Sequence, residues 1–424
     1  MEHLRTMRLK GRYRREHDFQ SRFQPILKTL QMIGLYCVPI NVNHRAQYSF
    51  CWTSAILIGG FLLYVSVNLF LFYFNMKIFV HFIEVLDLLN VRTLTSIVTG
   101  IKPLISLVHL FYFAYHTNNH RQLLKQMSVI DMNFGSLFGK PTAIKTAKRL
   151  FFGLLFAFCA SPFILRISEY IVMQETPGSN ILADLSLVVV PVTNAWNTVP
   201  LIYFLVLNLV IQNWHQTLAE ELNNDLMVEK RPLSFYYRHY ARLCQVSHRL
   251  GRIFNPFVAL TTIWTVFTLC LSIYFITQAD DLVHSSLLNE ASSDGQKYFS
   301  LAYCLLQVVL AAACAVLMCV SGIVANETGR QILQTVLEVE PHNMDSFEQF
   351  QVHCFSQKVQ AQYIWGVSVW WVVPVERSML FTLGSLVMSY ALILIKLKSE
   401  ADITHHLSNT HVLYEMFFAF LSFI

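Results

Sequence analysis

Seven long runs of apolar residues, separated by polar segments, dominate the pattern of this chain. A helix needs about 20 apolar residues to cross the hydrocarbon core of a bilayer, and each run reaches that length. The runs are continuously apolar rather than alternating, which disfavours membrane-spanning strands. The pattern therefore predicts an all-α membrane protein with seven transmembrane helices. Their predicted limits are 49–74, 93–116, 149–172, 185–212, 254–277, 298–324 and 378–397.

Composition agrees with a membrane protein, because 54% of the 424 residues are hydrophobic and 13% are charged. Soluble domains usually contain about 25% charged residues. The formal net charge is only +5, and the basic residues lie in blocks between apolar runs. This arrangement disfavours a nucleic-acid partner. The nine cysteines have no regular spacing, and they predict neither a disulfide framework nor a zinc site.

The distribution of lysine and arginine predicts how the chain crosses the membrane, since cytoplasmic loops carry the excess of these residues. The N-terminal segment and the segments after the second, fourth and sixth apolar runs hold 24 of the 31 basic residues, whereas the segments on the other side hold five. We therefore predict a cytoplasmic N-terminus and an extracellular C-terminus. A G-protein-coupled receptor has the opposite orientation, so that class is disfavoured.

The segments between the apolar runs complete the predicted organisation. Apolar residues recur at steps of three or four through 234–254 and 329–339, which predicts amphipathic cytosolic extensions of the fifth and sixth helices. These extensions are expected to pack on each other or on a neighbouring subunit. The predicted division is a cytoplasmic segment 1–48, helices one to six with their extensions at 49–324, a cytosolic segment 325–377, the seventh helix 378–397 and an extracellular tail 398–424.

Candidate catalytic or metal-binding residues are sparse. His116 and His120 are four residues apart, but no third ligand accompanies them as a metal site would require. We interpret them as two solvated histidines at a helix end. The sequence contains no phosphate-binding glycine loop and no nucleophile motif. We therefore expect no enzymatic activity, no bound metal and no cofactor.

Polar residues inside the predicted membrane helices are the best candidates for function, because burying them in lipid is costly. Lys102 precedes Pro103 near the middle of the second helix and is expected to face a wet cavity, an acidic group or the lipid headgroups. Arg166 and Glu169 are three residues apart, which suits either a mutual ion pair or ligand contact. Further polar and aromatic residues lie in the extracellular halves of the predicted helices. If they converge, they form a small-molecule pocket. The candidate ligand-binding residues are Lys102, Arg166, Glu169, Tyr170, Asn194, Trp196, Asn197, Tyr274, Tyr303 and Gln307.

The seventh helix carries a family resemblance. Ser389 and Tyr390 are followed by five residues and then by Lys396 and Leu397. This spacing resembles the closing signature of the insect gustatory receptor family, whose usual form is Thr-Tyr, five residues, Gln-Phe. The tyrosine and the spacing agree and serine replaces threonine, but Lys396 and Leu397 depart from the signature. The related insect odorant receptors share the seven-helix architecture with a different closing motif.

The resemblance implies a homotetramer, or co-assembly with related receptors, around a central pore lined by the seventh helix. It further implies a ligand-gated nonselective cation channel for a small tastant, a sugar or a bitter compound, in the plasma membrane of chemosensory neurons. The candidate pore residues are Ser389, Tyr390, Ile393 and Lys396. Four copies of Lys396 would repel cations, so we expect its side chain to reach the headgroups instead. The alternatives are a metabotropic seven-helix receptor, an odorant-type channel subunit or a transporter.

Overall fold

A computed structural model describes residues 19–36, 52–85, 91–139, 143–173, 181–226, 232–277, 294–337, 346–362, 366–370 and 372–403. Helices make up nearly all of this described part, and one short hairpin lies among them. The helices are α1 (Phe19–Met32), α2 (Trp52–Val85), α3 (Val91–Tyr115), α4 (Thr117–Phe138), α5 (Ile144–Met173), α6 (Ile181–Leu226), α7 (Leu233–Thr277), α8 (Asp294–Leu337), α9 (Ser346–Gln362) and α10 (Arg377–Ile403). The hairpin pairs β1 (Ser368–Val369) antiparallel with β2 (Val373–Pro374).

Each of the seven predicted membrane helices corresponds to a helix of the structure: α2, α3, α5, α6, α7, α8 and α10 in chain order. Six of them are long and apolar enough to cross a membrane, and α3 contributes a shorter apolar stretch, Gly100–Tyr115. At 25 residues and about 1.5 Å per residue, α3 still exceeds the thickness of the hydrocarbon core. The predicted all-α, seven-helix architecture is confirmed.

The predicted extensions of the fifth and sixth helices are also present, since α7 begins at Leu233 and α8 continues to Leu337. The apolar stripe of the first extension is buried within the chain, and the Tyr240 hydroxyl donates to the Gly329 carbonyl of α8 at 3.3 Å. The stripe is therefore buried on α6 as well as on α8, since the Tyr236 hydroxyl donates to the Glu221 carbonyl of α6 at 3.2 Å. The helix α6 also continues well beyond the predicted limit at 212. That continuation was missed because polar residues interrupt the apolar run there.

The helix α4 is amphipathic, and its buried face corrects the interpretation of His120. The His120 side chain is 1% exposed, and its ring stacks on Phe113 with 5.1 Å between centroids. Burial, with a smaller contribution from His116, lowers the pKa of His120 to about 3, so the ring is neutral at physiological pH. The prediction of a solvated side chain was therefore wrong for His120. It lies in phase with Leu123, Leu124 and Met127, which are buried on the same face of α4.

Two buried asparagines fix the hairpin that immediately precedes α10, and we call this arrangement the asparagine clamp. The Asn326 amide of α8 donates to the carbonyls of Val367 and Val375, both at 3.0 Å, and its carbonyl accepts from the Val367 N–H at 2.9 Å. Asn255 of α7 donates to the Ser368 hydroxyl at 2.7 Å and accepts from the Ser368 N–H at 3.2 Å. The segment that leads into the N-terminus of α10 is thus hydrogen-bonded to both α7 and α8.

A glycine permits this close approach. A Cβ atom added to Gly322 of α8 would lie 2.7 Å from the Val375 Cγ1 atom. That distance is far inside van der Waals contact, so a larger residue at 322 would push the hairpin away. The first residue of α10 is also bonded to α8, at the surface of the chain. The Arg377 guanidinium donates to both carboxylate oxygens of Glu327, at 2.7 and 3.1 Å.

Candidate ligand-binding cavity

A cavity of about 120 Å³ lies between α3, α5, α6, α7 and α8. We call it the Lys102 cavity. It is much larger than the space that one water needs, so it suits a small organic molecule. It lies towards the end of α7 and the first half of α8, whereas the asparagine clamp lies further along α8. The lining residues are Val98, Lys102, Phe158, Asn197, Thr198, Leu201, Thr261, Trp264, Thr265, Thr268, Ser272, Phe275, Gln307, Leu310, Ala311 and Cys314.

Hydroxyl groups of α7 form one wall of the cavity. Thr261, Thr265, Thr268 and Ser272 follow each other at steps of four, three and four residues, which places them on one face of the helix. The hydroxyls of Thr261 and Thr268 are buried and have no hydrogen-bond partner in the protein. A buried polar group without a partner costs about 1 to 3 kcal/mol. The wall is therefore suited to an occupant that forms hydrogen bonds.

The opposite walls add an amide and a charge. The Gln307 Nε2 group of α8 is also buried without a hydrogen-bond partner in the protein. Lys102 lies on the α3 side, close enough to the Cys314 thiol to interact electrostatically. One turn further along α3, the Ser106 hydroxyl donates to the Asn197 Oδ1 atom at 3.3 Å. No acidic residue occurs among the described lining residues.

Apolar side chains make up the rest of the surface. Phe158 of α5, with Trp264 and Phe275 of α7, provides aromatic walls, and Leu201 and Leu310 add aliphatic ones. A mainly apolar lining with a few convergent polar groups is the usual composition of a small-molecule site. Metal binding has no comparable support, since no three His, Cys, Asp or Glu side chains of the described residues cluster as ligands.

The structure brings three of the sequence-predicted ligand-binding residues to this cavity: Lys102, Asn197 and Gln307. Trp196 lies elsewhere, with its indole N–H donating to the Ile33 carbonyl at 2.9 Å. Tyr274 is fully buried between α7 and α10. Five further candidates have side chains outside the described residues: Arg166, Glu169, Tyr170, Asn194 and Tyr303.

Sequence analysis missed the hydroxyl wall of α7. Its signal was available, because threonine and serine recur at helical spacing through an otherwise apolar run. Each hydroxyl alone is unremarkable in a membrane helix, where it can bond to the carbonyl four residues earlier. Thr262 does so, donating to the Val258 carbonyl at 2.8 Å. Only the structure separates Thr262 from the unpartnered Thr261.

A small apolar cluster joins the cavity to the last helix. Val266, Cys270, Leu271, Tyr274 and Phe275 of α7 pack on Val387 and Leu394 of α10, and we call this the α7–α10 cluster. Phe275 both belongs to this cluster and lines the Lys102 cavity. A side chain shared in this way gives the cavity a direct contact path to α10.

The structure places the four candidate pore residues on two sides of α10. Ser389, Ile393 and Lys396 are exposed on the surface of the chain. Tyr390 is half-buried and packs against the α7–α10 cluster. The helix itself continues past the predicted limit at 397 to Ile403.

Comparison with known proteins places this arrangement among chemoreceptors. A family model described as the 7tm Chemosensory receptor matches residues 23–399. The chain is 29% identical over 366 residues to a Caenorhabditis elegans protein named "Probable G-protein coupled receptor egl-47", covering 84% of this chain and 69% of that protein.

The fold is similar to that of the insect olfactory receptor OR5 from Machilis hrabei. In its complex with eugenol the TM-score is 0.63 at 13% identity, with 88% of this chain and 97% of that chain covered. The structure of the same receptor described without eugenol gives a TM-score of 0.64 at 13% identity. The predicted resemblance to the seven-helix chemoreceptor superfamily is confirmed.

Proposed function

We propose that this chain, which belongs to the seven-transmembrane chemosensory receptor family, is a gustatory-type receptor that acts as a ligand-gated nonselective cation channel. A small molecule occupies the Lys102 cavity and opens a pore lined by α10. Four copies, or this chain with related receptors, form that pore in the plasma membrane of a chemosensory neuron, with the N-terminus of each copy in the cytoplasm.

The observation that carries the proposal is the position of Phe275, on both the Lys102 cavity and the α7–α10 cluster. A ligand shifts a closed-to-open equilibrium only if it binds one arrangement more tightly than the other. Because α7 forms a wall of the cavity and also packs on α10, a ligand that favours one position of α7 favours one position of α10. The asparagine clamp holds the other end of α10 in place.

The outer surface of α10 supports assembly around a pore. Phe381, Met388, Leu392 and Ile393 leave large apolar areas uncovered, and Phe381 is 79% exposed. In an assembly these residues would contact lipid or a second copy of the chain. The neighbouring Ser389 and Lys396 are polar and exposed, and a helix with both kinds of surface suits the wall of a pore.

A metabotropic receptor is the second candidate, favoured by the name of the Caenorhabditis elegans relative. It requires the opposite orientation in the membrane, which the excess of basic residues on the N-terminal side disfavours. It also requires a G protein and nucleotide to act. The channel requires neither.

Recording from excised outside-out patches, with a nucleotide-free solution in the pipette, tests the proposal. Patches from cells expressing the chain are exposed to a panel of small tastants and odorants. The channel account predicts ligand-evoked unitary currents that persist after excision. Currents seen only in intact cells, and lost without GTP, would support the metabotropic candidate.

A pair of variants on α8 connects the current to the cavity. Ala311→Phe fills the cavity and is expected to abolish evoked currents. Val309→Phe changes a side chain that is 63% exposed on the same helix, and it should leave the currents intact. If the two variants behaved alike, the Lys102 cavity would not be the site that opens the pore.

A further inference from the structure

We infer that the ligand of the Lys102 cavity is an elongated molecule that carries hydrogen-bond acceptors, such as ether, ester or ketone oxygens, at two well-separated points of an apolar chain. The inference rests on the proposed function only in taking this cavity as the ligand site. It narrows the broad class of small tastants by shape and by the spacing of their polar atoms.

The cavity is long and narrow. Its α7 wall begins at Thr261 and ends at Phe275, and Thr265, Thr268 and Ser272 connect them at steps of three or four residues. These residues therefore form one stripe along the helix, with a length of about 21 Å at 1.5 Å per residue. A volume of about 120 Å³ spread along such a stripe leaves a narrow space. An unbranched chain fits that space better than a fused ring system does.

Two hydrogen-bond donors stand at separated points of this stripe. The Thr261 and Thr268 side chains are 7% and 6% exposed, and their hydroxyls have no hydrogen-bond partner among the described residues. The two threonines are seven residues apart, which is about 10 Å along the helix axis. A hydrogen bond between two oxygens spans only about 2.7 Å, so one oxygen atom cannot accept from both hydroxyls. A single occupant that satisfies both therefore needs two acceptors.

A third unpartnered group decides between acceptors and donors on the ligand. The Gln307 Nε2 group of α8 lines the cavity and is buried with no partner among the described residues. An amide nitrogen can only donate, whereas a threonine hydroxyl can donate or accept. An acceptor oxygen therefore suits all three groups. A donor on the ligand would leave the Gln307 nitrogen unsatisfied, at a cost of about 1 to 3 kcal/mol for a buried group.

Gln307 belongs to the Thr268 end of the cavity. The Thr262 hydroxyl is 3.7 Å from the Met318 sulfur, so these two residues lie at the same level of α7 and α8. Because consecutive membrane helices cross in opposite directions, residues later in α7 lie level with residues earlier in α8. Two donors thus serve one end of the cavity, and Thr261 serves the other end.

Apolar side chains supply most of the remaining lining. Leu201, Leu310 and Ala311 are aliphatic, and Phe158 and Trp264 are aromatic. A hydrocarbon chain that joins the two acceptors would contact these side chains. Its burial contributes about 25 cal/mol for each Å² removed from water.

Three matched ethers test the spacing with the full-length protein in nanodiscs: 1,6-dimethoxyhexane, 1,1-dimethoxyhexane and 1-methoxyheptane. The first two are isomers, with their two oxygens at opposite ends of the chain in one and on the same carbon in the other. The third has a single oxygen. In extended 1,6-dimethoxyhexane the oxygens are about 8 Å apart, at the advance per bond of an extended backbone. Each can therefore approach one of two donors that lie two helical turns apart.

Binding is measured from the rise of the thermal unfolding midpoint with probe concentration, which any ligand of the folded state produces. We expect 1,6-dimethoxyhexane to bind about tenfold more tightly than either of the other two, because it satisfies one more buried donor. The isomer with the same atoms controls for partitioning of the probe into the lipid of the nanodisc.

Two variants of neighbouring residues assign this preference to the hydroxyl wall. Thr261→Val keeps the shape of the side chain and removes the donor at the end away from Gln307. It should reduce the preference for 1,6-dimethoxyhexane over 1-methoxyheptane to less than about threefold. Thr262→Val is the matched control, because the Thr262 hydroxyl already donates to the Val258 carbonyl. That variant should keep the full preference.

Four results would overturn the inference: equal binding of the two isomers, tighter binding of 1-methoxyheptane, a full preference that survives in Thr261→Val, or no midpoint shift with any of the three ethers. Equal binding of the isomers is the result expected if water alone satisfies the buried hydroxyls. Because binding is measured without current, these failures are distinguishable from failure of the channel proposal.

Discussion

The asparagine clamp and the Lys102 cavity use buried polar groups of the same helix in opposite ways. Asn255 and Thr261 lie less than two turns apart on α7. The Asn255 amide both donates to and accepts from Ser368, whereas the Thr261 hydroxyl has no partner in the protein. The comparison teaches that polarity and burial do not by themselves identify a functional residue.

What separates the two regions is hydrogen-bond satisfaction. A satisfied buried group contributes about 1 kcal/mol to stability, and an unsatisfied one costs about 1 to 3 kcal/mol. The clamp should therefore be a stabilising feature of the fold. The polar groups of the cavity reduce stability when it is empty, and a ligand that supplies their partners recovers that free energy.

Replacing Asn326 with alanine should cause the largest loss of stability. It leaves the Val367 N–H and the Val375 carbonyl without their partner in a buried position. We expect the free energy of unfolding in mixed micelles to fall by about 3 to 5 kcal/mol. Asn75→Ala is the matched control, since within the described part of the chain that amide bonds to the Leu71 carbonyl of its own helix, at 2.8 Å. Equal losses of stability in the two variants would contradict the claim that the asparagine clamp stabilises the fold.

Gly322→Ala should be the next most damaging change, because its Cβ would overlap Val375. Overpacking of this kind costs about 2 to 3 kcal/mol, and it should also alter the gating of α10 because the hairpin must move. Gly153→Ala has no heavy atom within 4 Å of the added Cβ and is expected to be neutral or slightly stabilising. Thermal unfolding of both purified variants checks this, and a neutral Gly322→Ala would contradict the close packing.

His120 is a third kind of buried polar group. Both of its ring nitrogens have no hydrogen-bond partner in the protein, as in the cavity, but the side chain lines no described cavity. Its folded pKa of about 3 lies below the ordinary value of 6.5, so the unfolded chain binds the extra proton first as the pH falls. Stability is fully present above about pH 6.5 and decreases below it, by about 2 kcal/mol at pH 5.

His120→Phe should remove that part of the pH dependence, because the aromatic stacking on Phe113 is retained without a titratable ring. The unfolding midpoint is measured between pH 5 and 7.5 for both proteins. His353→Phe controls for the loss of an exposed histidine. Parallel pH profiles for the unmodified protein and His120→Phe would show that this ring does not titrate on unfolding.

Removing the unpartnered hydroxyls of the cavity should cause no loss of stability. The double change Thr261→Val and Thr268→Val deletes no hydrogen bond within the protein and removes two unsatisfied buried groups, so we expect the free energy of unfolding to rise by about 1 to 3 kcal/mol. The currents evoked by a ligand of the Lys102 cavity should nevertheless be reduced measurably. A loss of stability similar to that of Asn326→Ala would mean that these hydroxyls belong to the fold rather than to the site.

Much of the architecture could be predicted from the sequence, because lipid imposes a length and a composition on each crossing helix. The amphipathic stripe of residues 234–254 also predicted the long inner part of α7. The inner part of α6 was missed since Gln212, Asn213 and His215 end its apolar run, although the helix continues. The clamp was equally inaccessible, because Asn255 and Asn326 acquire their partners only from a hairpin about 40 to 110 residues later in the chain.

The site could be predicted only in part. Lys102 was accessible because a charge inside a membrane helix is rare, and the structure places it on the cavity. Trp196 and Asn197 are adjacent in sequence but face different surroundings, since neighbouring residues on a helix point about 100° apart. Sequence alone could not say which of them faces the cavity.

The orientation of the chain tests the proposed channel most directly, because the channel and the metabotropic candidate require opposite sides for the N-terminus. Epitopes are added to the two termini in separate proteins, expressed in intact cells and stained before and after permeabilisation. Our account predicts that the N-terminal epitope is stained only after permeabilisation, whereas the C-terminal epitope is already accessible. An accessible N-terminal epitope with a hidden C-terminal one would contradict the channel and favour a G-protein-coupled receptor.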